Sequence, residues 1–299
     1  FEGRRMSIGI SEEHDELAAS LRKWAAALGG PELTRSAEED PRARFDEAWK
    51  AAAEMGVAAI RADGGTPLDQ AVALEACAHE LVPGPLLGPV VAGALVDDLP
   101  GDAVVGVCLD PGHTVVWDAP SATHLLVGDA EDRWYLVPAE AATVTPVRTL
   151  DLSRRFGRAQ VDLAADGVRA LPGLTGELVR RTVVTYAAAE ASGVARWCLR
   201  TAVEYAKVRE QFGRPIGSFQ AVKHLCAEML ETAEAVTAAA WDVAAAASGD
   251  PEQWAYAADV AAATVFDGAV EVAKSCIQVL GGIGFTFEHD AHLYLRRAT

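Results

Sequence analysis

Cysteine pairs at metal-binding or redox spacing are missing from this 299-residue chain. Cys77, Cys108, Cys198, Cys226 and Cys276 form no CxxC or CxxxH pattern and stand mostly in apolar, helix-like surroundings. A thiol placed that way behaves as a small hydrophobe, and a reducing cytoplasm is the compartment expected for such a set. Long apolar runs are also lacking. The Ala-rich stretches are broken by Glu, Asp, Lys or Arg before they reach the roughly 18 apolar residues that a membrane helix needs. No basic segment followed by an apolar core opens the sequence, so no secretory signal is expected. Residues 1–5 precede Met6 and are set aside from fold reasoning as a displaced start. Basic charge is scarce: 26 Lys and Arg stand against 43 Asp and Glu, a formal net charge of -17. Such a field repels a polyanion and argues against nucleic acid as a partner. It leaves open a phosphorylated cofactor, because a few local Arg and Lys decide such a site. What remains is 51% hydrophobic and 23% charged, the balance of a packed globular protein.

Periodicity divides the chain into three regions. Residues 7–101 are expected to form an N-terminal helical domain. Ser11 offers an N-cap hydroxyl, Phe45–Met55 repeats an amphipathic pattern, and Thr66-Pro67 opens a helix through Leu81. Residues 102–170 switch to short β-prone runs, at Val104–Cys108, Thr114–Trp117, His124–Val127, Trp134–Val137 and Thr143–Val147. Gly, Pro and Asp punctuate them at the spacing of a small antiparallel β-domain. Residues 171–299 carry three long helical patterns and a shorter one, a C-terminal four-helix bundle, with Ser218 as the expected cap of the second helix. The predicted fold class is thus mainly α with a small β-domain.

Two segments carry chemistry. In REQFGRPIGSFQAVKH, Arg209 ends a long helix, Phe212 follows in a turn, and Gln220 lies in the first turn of the next helix. Unsatisfied N–H groups at such a helix start attract anions. A cation, an aromatic face and an amide at one corner suit a pyrophosphate with an attached adenine; a hydrophobic staple of Phe212 and Phe219 is the competing explanation. In QVLGGIGFTFEHDAHLYLRRA, Gly281 and Gly282 would let backbone approach a ligand closely, with Gln278 beside them. A glycine-capped helix end explains the same residues.

Together these segments resemble the acyl-CoA dehydrogenase family, whose pattern R-x-x-F-G-x-x-I-x-x-F-Q is followed two helices later by Q-x-x-G-G-x-G-[FY]. The resemblance implies that Arg209, Phe212 and Gln220 hold the pyrophosphate and adenine of FAD. It further implies that Gln278, Gly281 and Gly282 touch the same end of the cofactor across a subunit interface. It also implies α,β-dehydrogenation of an acyl-CoA thioester, with electrons passed to an electron-transfer flavoprotein.

The departures from that pattern matter as much. The family's T-E-P-x-x-G-S-D loop and W-I-T-N strand around the flavin ring are not recognisable in Val105–His113 and the short sheet, and Trp117 and Trp134 are expected as ordinary core or surface aromatics. One family position for the catalytic glutamate falls beyond Thr299 and the other falls on Val183. Glu190, two turns further along the same face, is the candidate catalytic base of this chain, and a setting among alanines would raise its pKa by desolvation. Glu288, His289, Asp290, His292 and His224 are expected to be structural, and no metal is expected. Short length and an incomplete flavin site resemble the short subunits of heteromeric acyl-CoA dehydrogenases from sterol-degrading bacteria. That implies a partner acyl-CoA dehydrogenase-like subunit (α2β2), half the possible flavin sites filled, and the base on the partner. The run Ala187–Ala189 and Ala191–Gly193 fits either a roomy acyl site or close helix packing. A self-sufficient homo-oligomer and a noncatalytic structural subunit are the alternatives.

Overall fold

The computed structural model of the protein describes residues 10–39, 45–99 and 103–299. The first helices start where short polar side chains can satisfy orphan N–H groups. At α1 (Glu12–Ala27) Ser11 accepts from the His14 N–H, and the His14 ring accepts from the Ser11 N–H. At α4 (Pro67–His79) Thr66 and Asp69 exchange the same pair of bonds at 3.1 and 2.7 Å. Between them lie α2 (Gly30–Glu39) and α3 (Asp46–Glu54), and α5 (Leu87–Leu95) follows. α4 is buried along nearly its whole length, so it is the central rod of this region rather than an amphipathic cover.

Seven strands follow: β1 (Val105–Cys108), β2 (Val115–Trp117), β3 (His124–Gly128), β4 (Trp134–Pro138), β5 (Ala142–Val147), β6 (Phe156–Val161) and β7 (Arg169–Ala170). They form one sheet in the order β5-β6-β2-β1-β3-β4-β7. The five expected strands are all present, and β6 and β7 are additions. One pairing departs from the expected antiparallel sheet: β1 runs parallel to β3, with Val105 opposite His124. The 3-10 turn at Ala119–Ser121 lets the chain leave β2 and re-enter on the far side of β1.

The chain then returns to helices: α6 (Gly176–Val208), α7 (Gln220–Ala246), α8 (Pro251–Leu280) and α9 (Ala291–Ala298). Short connections make α6, α7 and α8 antiparallel neighbours, so the end of α6, the start of α7 and the end of α8 meet at one end of the bundle. Alanines along the shared faces, among them Ala195, Ala202, Ala233, Ala240, Ala261 and Ala273, are buried and allow close approach. Gly193 of α6 marks a tight crossing, where a Cβ would sit 2.3 Å from the Glu75 carbonyl oxygen of α4. A buried polar tie runs beside it. Glu75 accepts from Ser192 at 3.1 Å and from the Trp241 indole N–H at 2.8 Å.

One expected cap is corrected. α7 starts after Phe219, with no side-chain cap, and Ser218 belongs to a preceding 3-10 turn. Asp250 does cap α8, accepting from the Glu252 and Gln253 N–H groups at 2.9 and 3.1 Å. All five cysteines are free, four of them buried and Cys226 half-buried. α9 is sewn onto the first region: the Tyr294 hydroxyl donates to the His79 carbonyl at 2.8 Å, and Arg296 pairs with Glu38 at 2.7 Å. Tyr294 also stacks on Trp197 of α6, with ring centroids 3.6 Å apart. Among the described residues, no helix is long and apolar enough to cross a membrane.

Candidate functional site

The first motif lies at the shared end of the bundle. Arg209 caps α6 and the chain doubles back through β8 (Glu210–Gln211) and β9 (Arg214–Pro215). Phe212 sits at the tip in the left-handed region (φ 54) with its ring 92% exposed. That combination is costly for a bulky residue on both backbone and solvation grounds. Arg214 lies over the Phe219 ring, 4.2 Å from its centroid, and Phe212 meets Phe219 edge-on. Arg209 is exposed and, among the described residues, has no ion-pair partner. Gln220 is exposed in the first turn of α7, its amide 3.4 Å from His224. With no side chain capping α7, the first-turn N–H groups there remain unused.

The second motif closes α8 at the same end. Gln278 is exposed in the last turn, and Gly281 is the C-cap with φ 62. A Cβ at Gly281 or Gly282 would meet nothing within 4 Å. Phe285 and Phe287 follow, 75% and 67% exposed. The structure therefore brings all six residues of the two motifs to one end of the bundle, with Arg209, Gln220 and Gln278 exposed and the Gly281-Gly282 backbone open. Apart from the Gln220–His224 contact and the Phe212–Phe219 packing these residues face outward, and they fit a phosphorylated, aromatic group such as FAD.

Glu190 lies elsewhere. It sits on α6 at the floor of a cavity of about 460 Å³ between the sheet, α5, α6, α8 and the end of α9. Its surroundings are ionic rather than the alanines expected from sequence. Arg154, in the β5–β6 connection, bonds both Glu190 and the Gly84 carbonyl. Arg297 of α9 lies 2.8 Å from the other Glu190 oxygen, 3.0 Å from Asp151 and 3.2 Å from the Ser153 hydroxyl. Burial alone would raise the Asp151 carboxyl, but Arg297 and the Ser153 hydrogen bonds outweigh it and hold Asp151 below its ordinary range. Asp118 lines the same cavity, and there burial wins over Arg154 and Arg297 and pushes the carboxyl up to about 7.

Small residues of α6 divide between two tasks. Ala187 and Ala191 line the cavity, whereas Ala188, Ala189 and Gly193 are buried in helix packing. Trp117 belongs to the cavity wall, edge-on to Phe156 at 5.8 Å. Sequence reasoning took Trp117 only for a core or surface aromatic and passed over Asp118, Arg154 and Arg297. The alternation of β2 could have placed Trp117, but the arginines come from distant loops and carry no local signal. Near α9, His289 accepts from the Ala291 N–H at 3.1 Å and Asp290 pairs with Arg35 at 2.5 Å, so these residues tie the helix start to its neighbours.

Comparison with known proteins agrees with this architecture. The family model described as Acyl-CoA dehydrogenase, C-terminal domain matches residues 185–299. IpdE2 of Mycobacterium tuberculosis is 33% identical over 96% of this chain and 91% of its own. FadE34 of the same organism is 40% identical over 98% of this chain but only 46% of FadE34, so the chain spans about half the length of that relative. Among solved structures, the Tcur3481-Tcur3483 steroid ACAD G363A variant superposes with a TM-score of 0.84 at 25% identity, covering 96% of this chain and 92% of the other. The chain belongs to the acyl-CoA dehydrogenase family.

Proposed function

We propose that this chain is a subunit of an FAD-dependent acyl-CoA dehydrogenase that introduces an α,β double bond into an acyl-CoA thioester, working with a second subunit of the same family. The observation that carries the proposal is the set of outward-facing groups at one end of the bundle: Arg209, Phe212, Gln220, Gln278 and the Gly281-Gly282 backbone. FAD, when bound, supplies the acceptor for the β-hydrogen, which leaves as hydride.

This chain's residues act on the far end of that cofactor. Arg209 offers a forked guanidinium to a pyrophosphate. The open N–H groups of the first turn of α7 add dipolar attraction, and the exposed face of Phe212 offers a stacking surface for adenine. Gly281 and Gly282 admit the ligand to backbone contact. Because these groups project outward, the flavin they serve lies across a subunit boundary, in an α2β2 assembly with an electron-transfer flavoprotein as acceptor.

Glu190 takes a holding role in this reading. A guanidinium bonds each of its oxygens, which holds the carboxylate in place and leaves proton abstraction to the partner. The similarity to a steroid ACAD and the small side chains Ala187 and Ala191 support a bulky acyl group as substrate.

The test is flavin stoichiometry, read from the visible spectrum of the chain alone and of the chain purified with its partner. A colourless lone chain and a yellow complex with one FAD per pair is the expected result. One FAD per chain in the lone protein would overturn the shared site.

A further inference from the structure

The corner where α6 hands over to α7 holds a contact to which the proposed flavin site gives no part. Gln220 and His224 lie one turn apart on α7, and both are exposed. Their side chains meet through the Gln220 amide nitrogen and the His224 Nε2, 3.4 Å apart. Two nitrogens share a hydrogen bond only when one of them carries no hydrogen. An amide nitrogen always carries two, whereas a neutral imidazole leaves one ring nitrogen bare. The Gln220 amide is therefore the donor and the His224 Nε2 the acceptor.

That assignment fixes the sense of the amide. A glutamine with no such neighbour exchanges its oxygen and nitrogen by rotation about its last torsion, which is broad and roughly two-fold. His224 removes that freedom by accepting from the nitrogen alone. Among the described residues, no other hydrogen bond or ion pair engages either side chain. The Gln220 Oε1 is thus the atom of the fork left to an outside group, and that group must be a donor.

We infer that His224 is a positioning residue that sets the Gln220 amide to select adenine as the base of the bound dinucleotide. This rests on the FAD reading given above. A glutamine fork recognises adenine by accepting from its exocyclic amine while donating to a ring nitrogen. Hypoxanthine carries an exocyclic oxygen where adenine carries the amine. Against that base an amide held in the observed sense sets oxygen against oxygen and leaves both without a donor. Arg209 addresses the phosphates, which dinucleotides of either base share, so it contributes affinity without choosing between them.

The experiment titrates the deflavinated complex, purified with its partner, with FAD and with flavin hypoxanthine dinucleotide, reading affinity from quenching of flavin fluorescence. The expected result is FAD bound about tenfold more tightly, the worth of roughly one hydrogen bond. His224→Glu, whose carboxylate only accepts, keeps that preference. His224→Lys, which only donates, draws the Gln220 oxygen toward itself and reverses it, so that the hypoxanthine dinucleotide binds more tightly. Gln220→Leu binds the two alike. Both positions are exposed, so these variants fold, as unchanged melting temperatures would verify. Equal affinities in the unaltered complex, or a preference that His224→Lys leaves as it was, overturns the inference. Arg209→Ala separates it from the reading on which it rests, since losing a phosphate contact weakens both dinucleotides by one factor. If Arg209→Ala weakens both while the His224 variants leave the preference unmoved, only the role of His224 falls. If Arg209→Ala weakens neither, the flavin site falls and the role of His224 with it.

Discussion

Arg209 and Glu190 show how differently two charged residues of one helix can be employed. Arg209 is solvated and unpaired among the described residues, so its value must come from something outside the chain. A charge-assisted bond to a phosphate is worth about 1.5–3 kcal/mol, so Arg209→Ala should weaken FAD retention by the complex about tenfold or more while leaving the melting temperature unchanged. Fluorescence titration of the deflavinated complex measures it. Glu190 is the reverse case, buried and doubly paired. Its removal strands two guanidiniums in the interior, a change that costs about 3–5 kcal/mol. Glu190→Ala should therefore lower the urea midpoint sharply, whereas Glu190→Gln, still able to accept a bond, should fold and leave turnover by the complex within a few-fold. A thousandfold loss of turnover in a folded, yellow Glu190→Gln complex would restore Glu190 as the base. Asp118 gives a third residue-level outcome. An acid raised from about 3.8 to about 7 on folding binds more protons in the native state between those values. Its stabilising contribution is complete below the unfolded pKa and is lost as pH rises through about 7. Thermal melts from pH 4 to pH 8 should show that component of the slope disappear in Asp118→Asn.

At the scale of elements, the caps made the helices legible and the loops did not. Ser11, Thr66 and Asp250 each bond the first-turn N–H groups where a helix begins, and such caps are local chemistry that a sequence displays directly. Asp250→Ala should destabilise by about 1 kcal/mol, measured by chemical denaturation, with no effect on FAD stoichiometry. α5 was hidden because it is apolar throughout and interrupted by Pro and Gly, so no polar face marks its period. β6 was hidden for the opposite reason: its inward positions are Gly157 and Ala159, too small to register as a hydrophobic alternation. Ser218 misled because the 3-10 turn before α7 displaced the helix start past it. The end-of-bundle site was readable as a motif, since Arg209, Phe212 and Gln220 lie within one short stretch. The cavity was not, because Asp118, Arg154, Glu190 and Arg297 are spread over 180 positions and meet only through tertiary packing.

For the whole molecule, the exposed aromatics Phe212, Phe285 and Phe287 crowd the same end as the proposed FAD contacts. Isolated apolar residues are ordinary on a surface, but three aromatics around one polar site mark a face made to be covered. The same architecture governs assembly of the chain in time. α9 finds its partners in Tyr294 to His79, Arg296 to Glu38 and Asp290 to Arg35, contacts that span more than 200 positions of sequence. Closing such distant contacts is slow and must wait for the first helices to be in place. The last helix is therefore a late event in folding. Until it docks, Arg154 and Glu190 lack Arg297, and the Trp197 ring that Tyr294 covers stays open to water. A nascent or refolding chain passes through a stage with an unfinished ionic core and an uncovered indole, the stage at which a chaperone has most to capture.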